Sequence, residues 1–267
     1  MKFPIGFACN DEPKKAEVEP VAPETTTPVK SLVQVFFPDR NQTLTYFNDQ
    51  FDLKRGDYVF VDGKLEGVRG VVREVSKNFK IKVADYKKVI SVADTNVSGQ
   101  FYMAESHFVS FDPTALPYEQ IRAWYLPPLK EEDEYEIGND DTVIVLDRLL
   151  AMNISQGVWE RGKEYFIENR VIFVGVDAGR GRAIVEGEHA YEVEFDYADG
   201  EIRNLICSCP CGYTCKHEVA ALMQLKEILE LIEEHYANLY AGHFAAINKG
   251  HLFRFAIDSH ETGSFTL

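Results

Sequence analysis

A chain of 267 residues, 45% hydrophobic and 27% charged, has room for two modest domains, each able to bury a core. No apolar run approaches the roughly 18 to 20 residues that a membrane-spanning helix requires, so such a helix is excluded. The net charge of −15 is unevenly placed: residues 31–128 sum to zero, whereas 129–154 carry −6 and 155–240 carry −8. The second half therefore lacks the Lys and Arg excess on which nonspecific phosphate binding depends.

Met1 to Asn10 holds one Lys, a prolyl break at Pro4 and no apolar stretch of secretory type. A reducing cytoplasm is the expected compartment, no membrane partner is expected, and Cys9 reads as an idle thiol. Residues 10–30 contain four of the eleven prolines among Glu, Lys and Thr, so 1–30 is expected to be a disordered arm. From Ser31 the texture changes to short β-branched and aromatic runs such as VQVFF, TLTYF, DYVFV, FKIKV and HFVSF, with turn residues at Arg55-Gly56-Asp57 and Asp62-Gly63. Such a pattern predicts a small β-barrel, SH3-like or OB-like, over 31–128. A helix is expected over Leu116 to Tyr125, closed by Pro127 and Pro128. Within this block, residues 69–88 carry seven Lys and Arg against two acids, with Phe79 and Tyr86 interleaved. On a barrel they could form a nucleic-acid stripe; the simpler reading turns the charges to water and the rings into the core.

Residues 129–154 read as an acidic linker region. The second domain, 155–240, opens with a helix that Ser155 can cap and continues through strands at RVIFVGV, RAIVEG, YEVEFDY and EIRNLIC. Val219, Leu222, Leu225, Leu229 and Ile232 then recur at three- and four-residue intervals, the signature of an amphipathic helix. Residues 241–267 form a C-terminal extension in which HLFRFAI is a candidate final strand.

Chemistry concentrates in Cys207-Ser-Cys209-Pro-Cys211-Gly-Tyr-Thr-Cys215-Lys-His217. Thiolates and imidazole are the ligands that Zn²⁺ prefers, and four of them close a tetrahedron if the chain turns back between two ligand pairs. Pro210 and Gly212 can supply that turn. The expected metal ligands are Cys207, Cys209, Cys215 and His217, with Cys211 as a competitor. A metal-free thiol cluster, a redox pair at Cys209-Pro-Cys211 and an iron–sulfur cluster are the alternatives. Four or five ligands leave a four-coordinate ion no open position, so the site is expected to be structural, and no phosphate loop, nucleophile elbow or HExxH pattern argues for an enzyme. His243, His251 and His260 read as surface or core histidines, not a second metal site.

The CxC, five-residue spacer and CxH pattern, with a helix and strands before it and CKHEVAALMQL after it, resembles the SWIM zinc-finger family from about Ser155 to Tyr236. The spacer is short for that family. The N-terminal VQVFF and LKRGDYVFVDGKLEGVRGVVREV look faintly similar to small β-barrels of nucleic-acid-associated bacterial proteins. Together these resemblances imply an α+β chain with an N-terminal barrel and a C-terminal SWIM-type ββα zinc module. The implied role is a non-enzymatic adaptor or regulator binding protein partners. The alternative is a nucleic-acid-binding accessory factor for a helicase or another DNA-processing partner, with 69–88 as the contact.

Overall fold

The computed structural model describes residues 29–130, 136–138 and 141–257. Most of the expected arm with Cys9, part of the acidic run and His260 lie outside the described residues. Strands β1 (Ser31–Phe37), β2 (Gln42–Asn48), β3 (Tyr58–Val61), β4 (Gly70–Ser76) and β5 (Val89–Val92) form an antiparallel sheet in the order β2-β1-β4-β3-β5. Val33, Val35, Phe37, Val59, Val61, Val72 and Val89 fill its core.

The expected barrel is not closed. β2 ends at Asn48, whose side-chain amide donates to Ser31 Oγ and the Phe51 carbonyl while its oxygen accepts from Phe51 N. Beyond it, among the described residues, the backbones of the sheet's two edges meet at one isolated bridge, between Phe47 and Lys88.

A second antiparallel sheet has eight strands. Its members are β6 (Tyr102–Ala104), β7 (His107–Ser110), β8 (Ile144–Val145), β9 (Val171–Asp177), β10 (Arg180–Glu186), β11 (Ala190–Ala198), β12 (Glu201–Cys207) and β13 (His243–Asn248). The order is β6-β7-β13-β9-β10-β11-β12-β8. Two strands from the 31–128 block and one from the 241–267 segment therefore pair in register with the middle of the chain, β13 lying between β7 and β9. The segment Phe253–Ile257, within the candidate final strand, is instead helical, continuing from α4 (Lys249–Leu252). Asn248 starts that helix by accepting from Gly250 N at 3.0 Å, and helical spacing buries both Leu252 and Phe255.

Helices cover both faces. α1 (Tyr118–Tyr125) brings Ile121 and Trp124 against Phe173, Ile184 and Ile247, with Phe255 stacked on Trp124. α3 (Lys216–His235) buries Val219, Leu222, Leu225, Ile228 and Ile232 on the opposite side, and several of these join Val174, Val185, Val193 and Ile202 in one core. α2 (Gln156–Ile167) is capped as expected, Ser155 Oγ accepting from Val158 N. It lies so near the first turn of α3 that a Cβ on Gly162 would stand 2.5 Å from the Val219 side chain and 3.1 Å from the Lys216 carbonyl oxygen. Only glycine permits this approach.

Arg69 joins the two sheets. Its guanidinium lies over the rings of Tyr58, Tyr125 and Phe255, and Nη1 donates to the Trp124 carbonyl at 2.7 Å. His107 is buried at the start of β7, its Nε2 donating to the Val171 carbonyl at 2.9 Å. Burial pushes its pKa down to about 4. Between pH 6.5 and 4 the unfolded chain takes up a proton that the folded ring refuses, so stability is lost as pH falls through that window, by up to about 3 kcal/mol. Replacing His107 by Gln should flatten the fall in urea midpoint between pH 6.5 and 4.5; an unchanged slope would contradict the neutral buried ring.

Candidate metal centre

β11 and β12 form a hairpin that delivers Cys207 as the last residue of β12, paired with Val193. The chain then bends through residues 208–214 and returns as α3, whose N-cap is Cys215. Cys215 N donates to the buried Glu218 carboxylate at 2.6 Å, and the Cys215 sulfur accepts from the Glu218 backbone, so the helix begins on a capping box built with a thiol. His217, one residue into the helix after Lys216, turns back toward the hairpin.

The result is a group of four. The sulfurs of Cys207, Cys209 and Cys215 and one ring nitrogen of His217 all lie within 4.8 Å of one another. His217 Nδ1 is 3.8 Å from the Cys207 sulfur and 3.7 Å from the Cys215 sulfur. A tetrahedral ion with metal–sulfur bonds of about 2.3 Å and metal–nitrogen bonds of about 2.0 Å sets ligand separations of about 3.5 to 3.8 Å. These residues could hold a metal ion. Cys211 is exposed and stands outside the group.

The electrostatics of the bare cluster fit a cation. Cys215 is drawn down to about 4 because Cys207, and then His217 and backbone, hydrogen-bond to its thiolate. Cys207 is pushed up for the reciprocal reason, as donor to Cys215, with burial adding to the effect. Burial raises Cys209 to about 11. One thiolate is therefore stable among these sulfurs without further positive charge, and the positive end of α3 supplies only part of what three would need. Glu218 is raised to about 8, mainly by burial and then by the Cys215 charge, so the surroundings disfavour a second negative charge beside that sulfur.

Aromatic rings hold the imidazole in place. Tyr191 stacks on His217 at 4.4 Å between centroids, and Tyr165 from α2 stands 5.5 Å away with Lys216 Nζ over its ring. His217 Nε2 is buried without a hydrogen-bond partner among the described residues. A Cβ on Gly187 would come within 3.0 Å of that nitrogen and 2.9 Å of the Tyr191 ring.

Among the described residues the other candidates are not brought together. His243 Nδ1 faces Asp177 at 3.1 Å, and His251 Nδ1 meets the Tyr125 hydroxyl at 2.8 Å. In the basic stretch, Arg69 is the internal cation described above, Arg73 lies over Phe36, and Lys77, Lys82 and Lys88 face Asp52, Asp85 and Asp49. Phe79 turns toward Phe47. Glu218, Tyr165, Tyr191 and Gly187 carry no motif of their own, although an acid three residues after Cys215 is a visible capping signal. Compared with family models, with curated proteins and with solved structures, the chain matches none.

Because Gly187 gives the imidazole its room, Gly187→Ala should weaken metal retention about 10-fold, as displacement of the groups that orient a ligand commonly does. Competition against a chromogenic chelator measures this; circular dichroism of the metal-loaded protein should be unchanged.

Proposed function

We propose that Cys207, Cys209, Cys215 and His217 hold a structural Zn²⁺ ion, and that residues 155–240 are a SWIM-type zinc module acting as a non-enzymatic adaptor for protein partners. The observation that carries this reading is the convergence of three sulfurs and one imidazole nitrogen within 4.8 Å at the junction of a hairpin and a helix. Three thiolates and one neutral imidazole form a donor set suited to zinc, and four protein ligands leave no place for a substrate. The ion would supply a crosslink. It would tie the end of β12 to the N-terminus of α3, a contribution on the order of 10 kcal/mol to folding.

The charge of −8 over residues 155–240 favours protein over nucleic acid as the partner of this module. A nucleic-acid accessory role through residues 69–88 has less support, since Arg69 is internal and three of the lysines face acids. A reducing compartment such as the cytoplasm would keep the thiols available for metal.

Elemental analysis of the purified full chain should find about one zinc per molecule. Cys215→Ser should lose it and lower the melting temperature, whereas Cys211→Ser should keep both. The reverse pattern, with metal retained by Cys215→Ser and lost by Cys211→Ser, would overturn the ligand assignment.

A further inference from the structure

We propose that the groove between α2, α3 and the Leu146–Ala151 turn is a docking site for a basic amphipathic helix of a partner protein. The proposal deepens the adaptor reading by naming a surface and the chemistry it fits. The groove encloses about 470 Å³. Trp159 and Phe166 from α2 form one apolar wall, Met223 from α3 the other, and Leu149 and Leu150 close the end. Leu150 is 83% exposed, an unusual setting for a leucine beside other apolar groups.

Its dimensions suit a helix. The wall from Met223 to Glu230 covers eight residues of α3, seven steps of 1.5 Å or about 10 Å, matching two turns of a ligand helix with anchors at i, i+3 or i+4, and i+7. Trp159, Lys163 and Phe166 repeat the same spacing on α2.

Charge selects which helix. The rim holds Asp147, Glu227 and Glu230 against Lys163 and Lys226. Lys226 is shared by two acids, Asp147 at 2.7 Å and Glu230 at 2.9 Å. Glu227 is held above the usual carboxylate range by burial first and then by the nearby Glu105 and Glu230 carboxylates. Three acids against two lysines leave this rim a net excess of one acid, so an arriving Lys or Arg finds an acceptor there that an acidic helix would not.

The test uses the full zinc-loaded chain and two fluorescent 18-residue probes of Leu/Lys and Leu/Glu amphipathic sequence. Anisotropy should show saturable binding of the Leu/Lys probe and none of the Leu/Glu probe. Leu150→Asp and Met223→Gln should each weaken binding ~10-fold, Glu230→Lys should weaken it and reduce its salt dependence, and Glu201→Lys, the same charge change outside the groove, should leave it unchanged. Equal weakening by Glu201→Lys and Glu230→Lys, indifference to Leu150→Asp, or no binding of the Leu/Lys probe would overturn the proposal. So would self-association of the chain that Leu150→Asp abolishes. Zinc content measured on each sample separates failure of the groove from failure of the metal reading.

Discussion

Three sulfurs gathered around one imidazole nitrogen cannot all carry charge in a half-dry pocket unless a cation lies among them. Hydrogen bonding lowers Cys215, while donation to Cys215 and burial raise Cys207 and burial raises Cys209, so the bare cluster opposes full ionisation. Around this constraint the surrounding parts are arranged: the hairpin ends where Cys207 is needed, the helix begins with a thiol as its cap, and Tyr191 and Tyr165 fix the ring that completes the set. The first turn of α3 is also the place where α2 comes closest, through Gly162. Anything that loosens the cluster therefore acts directly on the helix that covers the larger sheet.

That sheet ties distant parts of the chain together. β7 and β9 are separated by about sixty residues of sequence, and the strand that joins them, β13, comes after both. With α1 on one face and α3 on the other, the sheet has its apolar residues covered on both sides, which explains why β9 is buried along most of its length rather than alternating. Arg69 links the smaller sheet to this assembly through aromatic faces and one carbonyl, a use of positive charge that consumes one cation of the basic stretch internally. Of the other cations there, Lys77, Lys82 and Lys88 face acids and Arg73 lies over Phe36.

Electrostatics then divide the molecule. Residues 31–128 are neutral in sum, whereas residues 155–240, which hold the candidate metal ligands, keep an acidic excess that their own Lys and Arg do not offset. Lys226, shared between Asp147 and Glu230, is the local form of that imbalance. An acidic surface around an apolar groove favours a cationic amphipathic partner more than a polyanion.

The candidate metal-binding group and α3 were legible in the chain because both are local. Four donors within eleven residues need only one bend to meet, and the three- and four-residue spacing of Val219, Leu222, Leu225 and Ile232 already defines a buried helix face. Capping of α2 by Ser155 and the strand pattern of β9 to β12 belong to the same class. Tertiary structure alone decided what depends on distant neighbours. It left the smaller sheet open, β2 and β5 being its two edges; it inserted β13 between strands from two other segments; it made Phe253–Ile257 helical, and Phe255 gains a place beside Trp124. It also excluded Cys211 and seated Gly187 against the imidazole, since which of several nearby thiols faces a common point depends on the three-dimensional path of the bend and not on its length.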